Sequence, residues 1–437
     1  MHRLLQIVIL FILYPSLTFS NENSGQKDSL AGGRMFDADI IHEIRIQFLQ
    51  CAAWDSLFVM KKERDSLSIR RYLQGNVMVD GNQYFSCGVR IKGESSFDFY
   101  PGKKKSLKIK FGEFIKKQKL DGLKTINLNN AFRDPSFMRE KLYLDFMREE
   151  GLPVPRCTYA NVYFNGEHLG LYLVTEEVDR GFLERNFQNK KGAFFKGEPN
   201  STFTYLGEDQ LLYEQDYKNK NESANDYTHL MELIRVINGT SGMASSDSLK
   251  IDDVFNVESC LKIFAISSLF LNVDTYNLLY PHNYYLYKNT RTKKFEWIPY
   301  DGNYALCAFS PVFNLNEAEN LSVFYEHDSF DHPLTKLLFS KAEYRKFYTD
   351  YIAYLVKDKF TNRALSNEIE VLARKIRRSV YYDSHKMYSN AEFEKNIKSS
   401  IGDENDAGAF IPGLESFIKQ RIKAVKKELG IKEEGNQ

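Results

Sequence analysis

Two carboxylates and an amide stand at the ends of elements within a short stretch of this chain. Asp274 follows an apolar run from Ile263 to Val273, Asn283 opens Tyr284-Tyr285-Leu286-Tyr287, and Asp301 ends Trp297-Ile298-Pro299-Tyr300. Nine residues separate Asp274 from Asn283, and eighteen more lead to Asp301. A turn over 289–294 lets the two strand-like runs pair as a hairpin, which carries His282 and Asn283 toward Asp301. Convergent hard oxygens suit a divalent cation on nucleotide phosphates, and a further carboxylate can orient an attacking hydroxyl, so the chemistry implied is phosphoryl transfer. Singly, each residue is an ordinary cap or turn-former. His282 reads as orienting Asn283 or capping its strand. With no His-rich ligand set beside it, metal-assisted hydrolysis ranks last.

The order Asp274-Thr275-Tyr276, then His282 to Tyr287, then Ile298-Pro299-Tyr300-Asp301-Gly302-Asn303 resembles the core signature of the CotH (spore coat protein H) kinase-like family. That resemblance implies Asp274 as the catalytic Asp, with Asn283 and Asp301 as metal ligands. Tyr300 stands where the family usually has Trp. Asn303 stands where a second Asp is commoner, as a weaker oxygen ligand. Val89-Arg90-Ile91-Lys92-Gly93-Glu94-Ser95-Ser96 resembles a family segment whose glycine and hydroxyls, here Gly93, Ser95 and Ser96, approach phosphate. Lys103 to Phe111 resembles the family's lysine-rich strand, from which one lysine grips the phosphates. Strand alternation puts Lys105 with Leu107, Ile109 and Phe111 on the buried face, and Lys108 and Lys110 on the wetter one. Lys105 is therefore expected there, with Lys104 next. Glu140, in Phe137-Met138-Arg139-Glu140-Lys141-Leu142, is expected to pair with that lysine. Glu176 and Glu177 are expected beside the adenine, through their backbone.

The resemblance runs from about Phe36 to Phe309. It implies an α+β, bilobal, atypical protein-kinase-like fold, with a strand-rich N-lobe and a helix-rich C-lobe. ATP and Mg²⁺ or Mn²⁺ would lie between the lobes, and the γ-phosphate would pass to hydroxyl groups on a protein or glycan acceptor. The competing expectation is a non-catalytic surface, coat or adhesion protein on the same fold.

The elements that must position these residues are legible in outline. Asp80-Gly81 and Asn165-Gly166 each sit between strand-like runs and read as hairpin turns. Helices are expected at Cys51–Leu67, Ser136–Glu150, Tyr227–Asn238 and Val257–Leu271, and most of His332–Leu429 reads as helical. The divisions expected are a signal peptide over 1–20, a disordered polar lead over 21–34, an N-lobe over 35–176, and a C-lobe with a helical C-terminal extension over 177–437.

Composition excludes little. Arg3 followed by an apolar run and Thr18-Phe19-Ser20 has the order of a cleavable export signal, too short for a membrane span. The formal net charge is +1, and removal of Arg3 leaves zero, which gives no general case for nucleic acid or an anionic membrane. Five scattered cysteines contain no CxxC pair, so a structural zinc site is not expected.

Overall fold

The computed structural model describes residues 31–67, 69–221, 225–240, 249–325 and 332–432. The expected signal segment and residues 21–30 of the expected disordered lead lie outside them. The last four residues of that lead are ordered. Gly32 and Arg34 donate backbone N–H groups to the backbone oxygen and carboxylate of Asp121, and Arg156 holds the Ala31 carbonyl. Bonds to a folded neighbour override a polar local composition here.

The chain is α+β, and its first half closes on itself. β1 (Ile41–Gln47), β2 (Leu73–Val79), β3 (Asn82–Ile91), β4 (Leu107–Lys110), β5 (Thr125–Asn129), β6 (Cys157–Phe164) and β7 (Glu167–Glu176) form a seven-stranded barrel in the order β1-β2-β3-β4-β5-β7-β6. Where a strand-rich lobe was expected, a barrel stands, because β1 pairs antiparallel with β2 and parallel with β6. Both expected hairpins are present. Asp80 and Gly81 lie at φ 48° and 82°, and Asn165 and Gly166 at 48° and 87°, the left-handed pairs that two-residue turns require. Ile44, Ile46, Val77, Val89, Leu107, Ile109, Ile126 and Val162 fill the barrel from alternate positions, and each is under 2% exposed.

A second sheet has the order β11-β10-β8-β9, from β8 (Phe194–Gly197), β9 (Tyr217–Asn219), β10 (Tyr284–Asn289) and β11 (Lys294–Pro299). The expected hairpin is β10–β11, with Tyr284 opposite Pro299 and Asn289 opposite Lys294. Helix α1 (Ala53–Leu67) covers the barrel, α2 (Ser95–Asp98) is a single turn, and α3 (Arg139–Glu149) is buried along nearly all its length. Ahead of α3, Asp134 accepts the Arg139 N–H at 2.9 Å and Ser136 Oγ accepts the Met138 N–H at 3.1 Å. Further on come α4 (Arg180–Phe187), α5 (Thr228–Asn238), α6 (Ile251–Val254) and α7 (Val257–Leu269), the last buried at ten of its thirteen residues.

The C-terminal helices return over the whole molecule. They are α8 (Leu315–Glu319), α9 (Pro333–Ser340), α10 (Ala342–Tyr354), α11 (Asn362–Tyr382), α12 (Asn390–Lys398) and α13 (Leu414–Glu428). Arg421 of α13 is fully buried and donates to the carbonyls of Leu321 and Ser268. At the end of α11, Asp383 accepts from the Leu171 N–H at 3.0 Å and from Lys104 at 2.6 Å, both in the barrel half. Gly170, at φ 116°, leaves the room: a Cβ there would sit 2.2 Å from the Asp383 carboxylate.

Candidate functional site

α7 buries ten of its thirteen residues, leaving Glu258, Ser259 and Lys262 toward solvent, and the chain leaves it through Leu271 at φ 42°. Three residues later Asp274 meets the start of β10. Its Oδ1 lies 2.6 Å from His282 Nε2, and Asn283 Nδ2 donates to its Oδ2 and to its backbone oxygen, each at 2.9 Å. Asn283 thus turns its amide nitrogen to Asp274, so only its Oδ1 can face a cation. Burial opposes protonation of His282, but the hydrogen bond and charge of Asp274, with the charge of Asp301, outweigh it and raise the imidazole's pKa.

The hairpin brings the third residue in. Tyr300 N–H donates to Asn283 O at 3.1 Å, so Asn283 and Asp301 flank the last rung of β10–β11. Both take left-handed backbone, φ 62° and 64°. Such conformations in non-glycine residues cost free energy and concentrate where function constrains the chain. The Asp301 carboxylate accepts the Asn303 N–H. Burial raises its pKa, Lys92 and His282 pull it down, and the charge of Asp274 adds to the rise.

Across from these lies the barrel's contribution. Glu140 in the first turn of α3 is buried and pushed up to about 7, chiefly by burial and then by Asp301's charge. Lys92 and hydrogen bonds from Asn129 and the Gly302 N–H only partly offset this. A relay runs along this side: Lys92 Nζ donates to Asn129 Oδ1 at 2.7 Å, and Asn129 Nδ2 donates to Glu140 Oε2 at 2.8 Å. Lys92, Ser96, Asn129, Glu140, Asp301 and Asn303 line one cavity. Gly302 is forced by packing, since a Cβ there would lie 2.5 Å from the Tyr143 ring. Asn272, fully buried, gives its Nδ2 to Asp301 O at 3.3 Å, while its Oδ1 has no hydrogen-bond partner among the described residues.

The sequence-derived residues therefore divide. Asp301, Asn303, Glu140 and Ser96 line the cavity, and Asp274 and Asn283 lie beside Asp301, whereas Ser95 is exposed and absent from the lining. Lys105 does not face it: its Nζ donates to the Phe97 and Tyr100 carbonyls at 2.7 and 2.6 Å. Lys104 is sealed against Asp383. Alternation placed Lys105 on the buried face as expected, but in a closed barrel that face looks away from the cavity. The wetter face is the one turned toward it. It presents Lys92 at the end of β3 and Lys108 on β4, beside Arg90, which pairs with Lys108 in register.

Lys108 donates to both oxygens of Glu177, at 2.7 and 2.6 Å, and Asn127 also donates to Glu177 at 2.8 Å. Burial opposes the charge of Glu177, but Lys108 and Asn127 hold it down at about 2. Lys108 is itself pushed down to about 8 by burial and by its neighbours Arg90 and Lys92, although Glu177 raises it. Glu176 points elsewhere, into ion pairs with Arg156 and Arg185 at 2.8 and 2.6 Å. Sequence reasoning missed Lys92, though it stood in a quoted motif directly before Gly93. The signal was its parity with Arg90, opposite to Val89 and Ile91.

A metal fits this donor set only with help from a ligand. Among the described residues, no three His, Cys, Asp or Glu side chains converge closely enough to hold an ion. Mg²⁺ is commonly bound through one or two carboxylates, with waters and substrate phosphates completing its octahedron. Asp301 and the Asn283 and Asn303 oxygens match that pattern.

The family model described as CotH kinase protein matches residues 89–425. Inner spore coat protein H of Bacillus subtilis (strain 168) is 26% identical over 324 residues, covering 73% of this chain and 84% of that protein. Invasin CotH3 and invasin CotH2 of Rhizopus delemar are 21% and 22% identical, each over 71% of this chain. The chain spans 56% and 57% of the length of those two invasins. With the family model covering most of its length, this chain belongs to the CotH kinase protein family.

Proposed function

We propose that this protein is an exported, ATP-dependent phosphotransferase of bilobal, kinase-like design, moving the γ-phosphate to hydroxyl groups on a protein acceptor. The observation that carries the reading is the convergence of Asp274, Asn283 and Asp301 opposite the Lys92–Asn129–Glu140 relay. In this reading the barrel is the N-lobe and the cleft lies between it and the second sheet. Lys92 contacts phosphate oxygens, and Glu140 positions Lys92 through Asn129. Asp274, held in place by His282 and Asn283, accepts the proton of the attacking hydroxyl at a carboxylate oxygen. Asp301 with Asn283 and Asn303 would hold Mg²⁺ or Mn²⁺, which supplies charge neutralisation on the transferring phosphoryl group. Glu177, ion-paired with Lys108, fits the adenine end of the cleft.

The relatives' names, a spore coat protein and two invasins, support a location outside the cytoplasm and also favour a second reading, a non-catalytic coat or surface protein. Against it stand the raised pKa values of Glu140 and Asp301. A purely adhesive protein has no use for buried carboxylates that repel one another.

Calorimetry of the chain from Asn21 with ATP, with and without Mg²⁺ or Mn²⁺, tests the reading. Metal-dependent binding weakened roughly 100-fold or more in Asp301→Ala supports it, the scale for truncating one member of a buried charge pair. Absence of binding under every metal condition moves the assignment to the coat or surface role.

A further inference from the structure

The end of the barrel remote from the cavity carries exposed apolar side chains among lysines. β4 and β5 are antiparallel, with Leu107 opposite Leu128 and Lys110 opposite Thr125. Ser106 and Asn129 line the cavity at one end of this pair. The connection from Phe111 to Lys124 leaves from the other end, about 10 Å away for a four-residue strand.

Within that connection Phe114 and Ile115 are 46% and 43% exposed, and Phe85 of β3 is 54% exposed. They belong to one surface. Gln118 Nε2 donates to the carbonyls of Phe85 and Phe111, both at 2.8 Å. Glu113 packs so tightly on β3 that a Cβ on Gly88 would lie 2.8 Å from its own. Lys116, Lys117 and Lys119 are exposed and form no ion pair among the described residues. The acid in the same loop, Glu113, is paired with Lys110 at 2.6 Å, and Asp121 is occupied by the N–H groups of Arg34 and Met35.

Aromatic and aliphatic side chains beside uncompensated lysines match the boundary of an anionic bilayer. There the rings enter the acyl region and the ammonium groups meet the headgroups. An acidic protein surface would satisfy the lysines but offer Phe114 and Ile115 no apolar phase. We infer that the tip formed by Phe85, Phe114, Ile115, Lys116, Lys117 and Lys119 is a peripheral docking site for an anionic phospholipid surface. No helix among the described residues is long and apolar enough to cross a membrane, so the attachment is interfacial. Docking at this end leaves the cavity, at the other end of β4 and β5, facing away from the lipid. The inference is independent of ATP or metal binding.

Co-sedimentation of the chain from Asn21 with phosphatidylcholine vesicles, and with mixed phosphatidylcholine/phosphatidylglycerol vesicles, is the test. Binding is expected only to the anionic vesicles and falls as salt rises. Phe114→Ser with Ile115→Ser should weaken it about tenfold or more. Lys116→Gln and Lys117→Gln should each weaken it roughly fivefold. All four positions are exposed, so thermal unfolding of the variants should match the parent. Failure to bind anionic vesicles, equal binding to both vesicle types, or undiminished binding by the variants would each overturn the inference.

Discussion

Two buried charged regions of this molecule are built on opposite principles. Where α11 meets the barrel, Lys104 and Asp383 are both fully buried and bonded at 2.6 Å, and the backbone N–H groups of Leu171 and His385 also reach the carboxylate. At the cavity, Asp301 repels both Glu140 and Asp274, and the positive charges of Lys92 and His282 offset this in part. The latch is balanced and complete. The cleft holds charge in excess of its internal partners, on a backbone strained at Asn283 and Asp301. The difference teaches that balanced burial marks a structural contact, whereas unbalanced burial marks a place that a ligand completes.

Breaking the latch should give the largest effect on folding. Asp383→Ala leaves Lys104 buried and unpaired, and should cost about 3–5 kcal/mol in chemical denaturation. If the variant unfolds at the parent's midpoint, the latch contributes nothing and the comparison fails on that side.

Next in size is the contrast between lysines. Lys92→Met should weaken ATP binding in the presence of metal by roughly 10- to 100-fold with little change in stability, as expected for one lost charge-assisted contact. Lys105→Met should leave that binding within about twofold while lowering the melting temperature, because Lys105 serves the Phe97 and Tyr100 carbonyls in and just after α2. The opposite pattern would restore Lys105 as the phosphate-binding residue.

The smallest effect concerns pH. Glu140 titrates near 7 in the folded protein, above the ordinary 4.5 of its carboxyl group. The folded state therefore binds more protons than the unfolded state between those values. The stability linked to Glu140 is full below about 4.5 and is lost as pH rises through about 7. Glu140→Gln should flatten this slope and stabilise the protein at pH 8 by about 1–2 kcal/mol. Melting curves across that range check it, and a slope identical to the parent's would place the imbalance elsewhere.

Much of this was legible in local pattern. The two left-handed turns, the β10–β11 hairpin and the apolar α7 follow from short-range rules, and they suffice to gather Asp274, Asn283 and Asp301. Glu140 was legible as a first-turn acid of α3. The choice of lysine was not. Alternation assigned Lys105 correctly to the inner face, yet whether inner means cleft or barrel interior depends on closure of β1 on β6. That pairing joins residues more than a hundred positions apart.

The sequence by itself determined the family, the hairpins, the buried helix and the acidic trio, because each depends on residue types within a few positions of one another. Tertiary structure alone decided that the sheet closes into a barrel and that Lys92 rather than Lys104 or Lys105 lines the cavity. It also decided that Asp383, from the far end of the chain, neutralises the lysine left behind. Those outcomes rest on strand pairing and packing between distant segments, whose free energy no local pattern encodes.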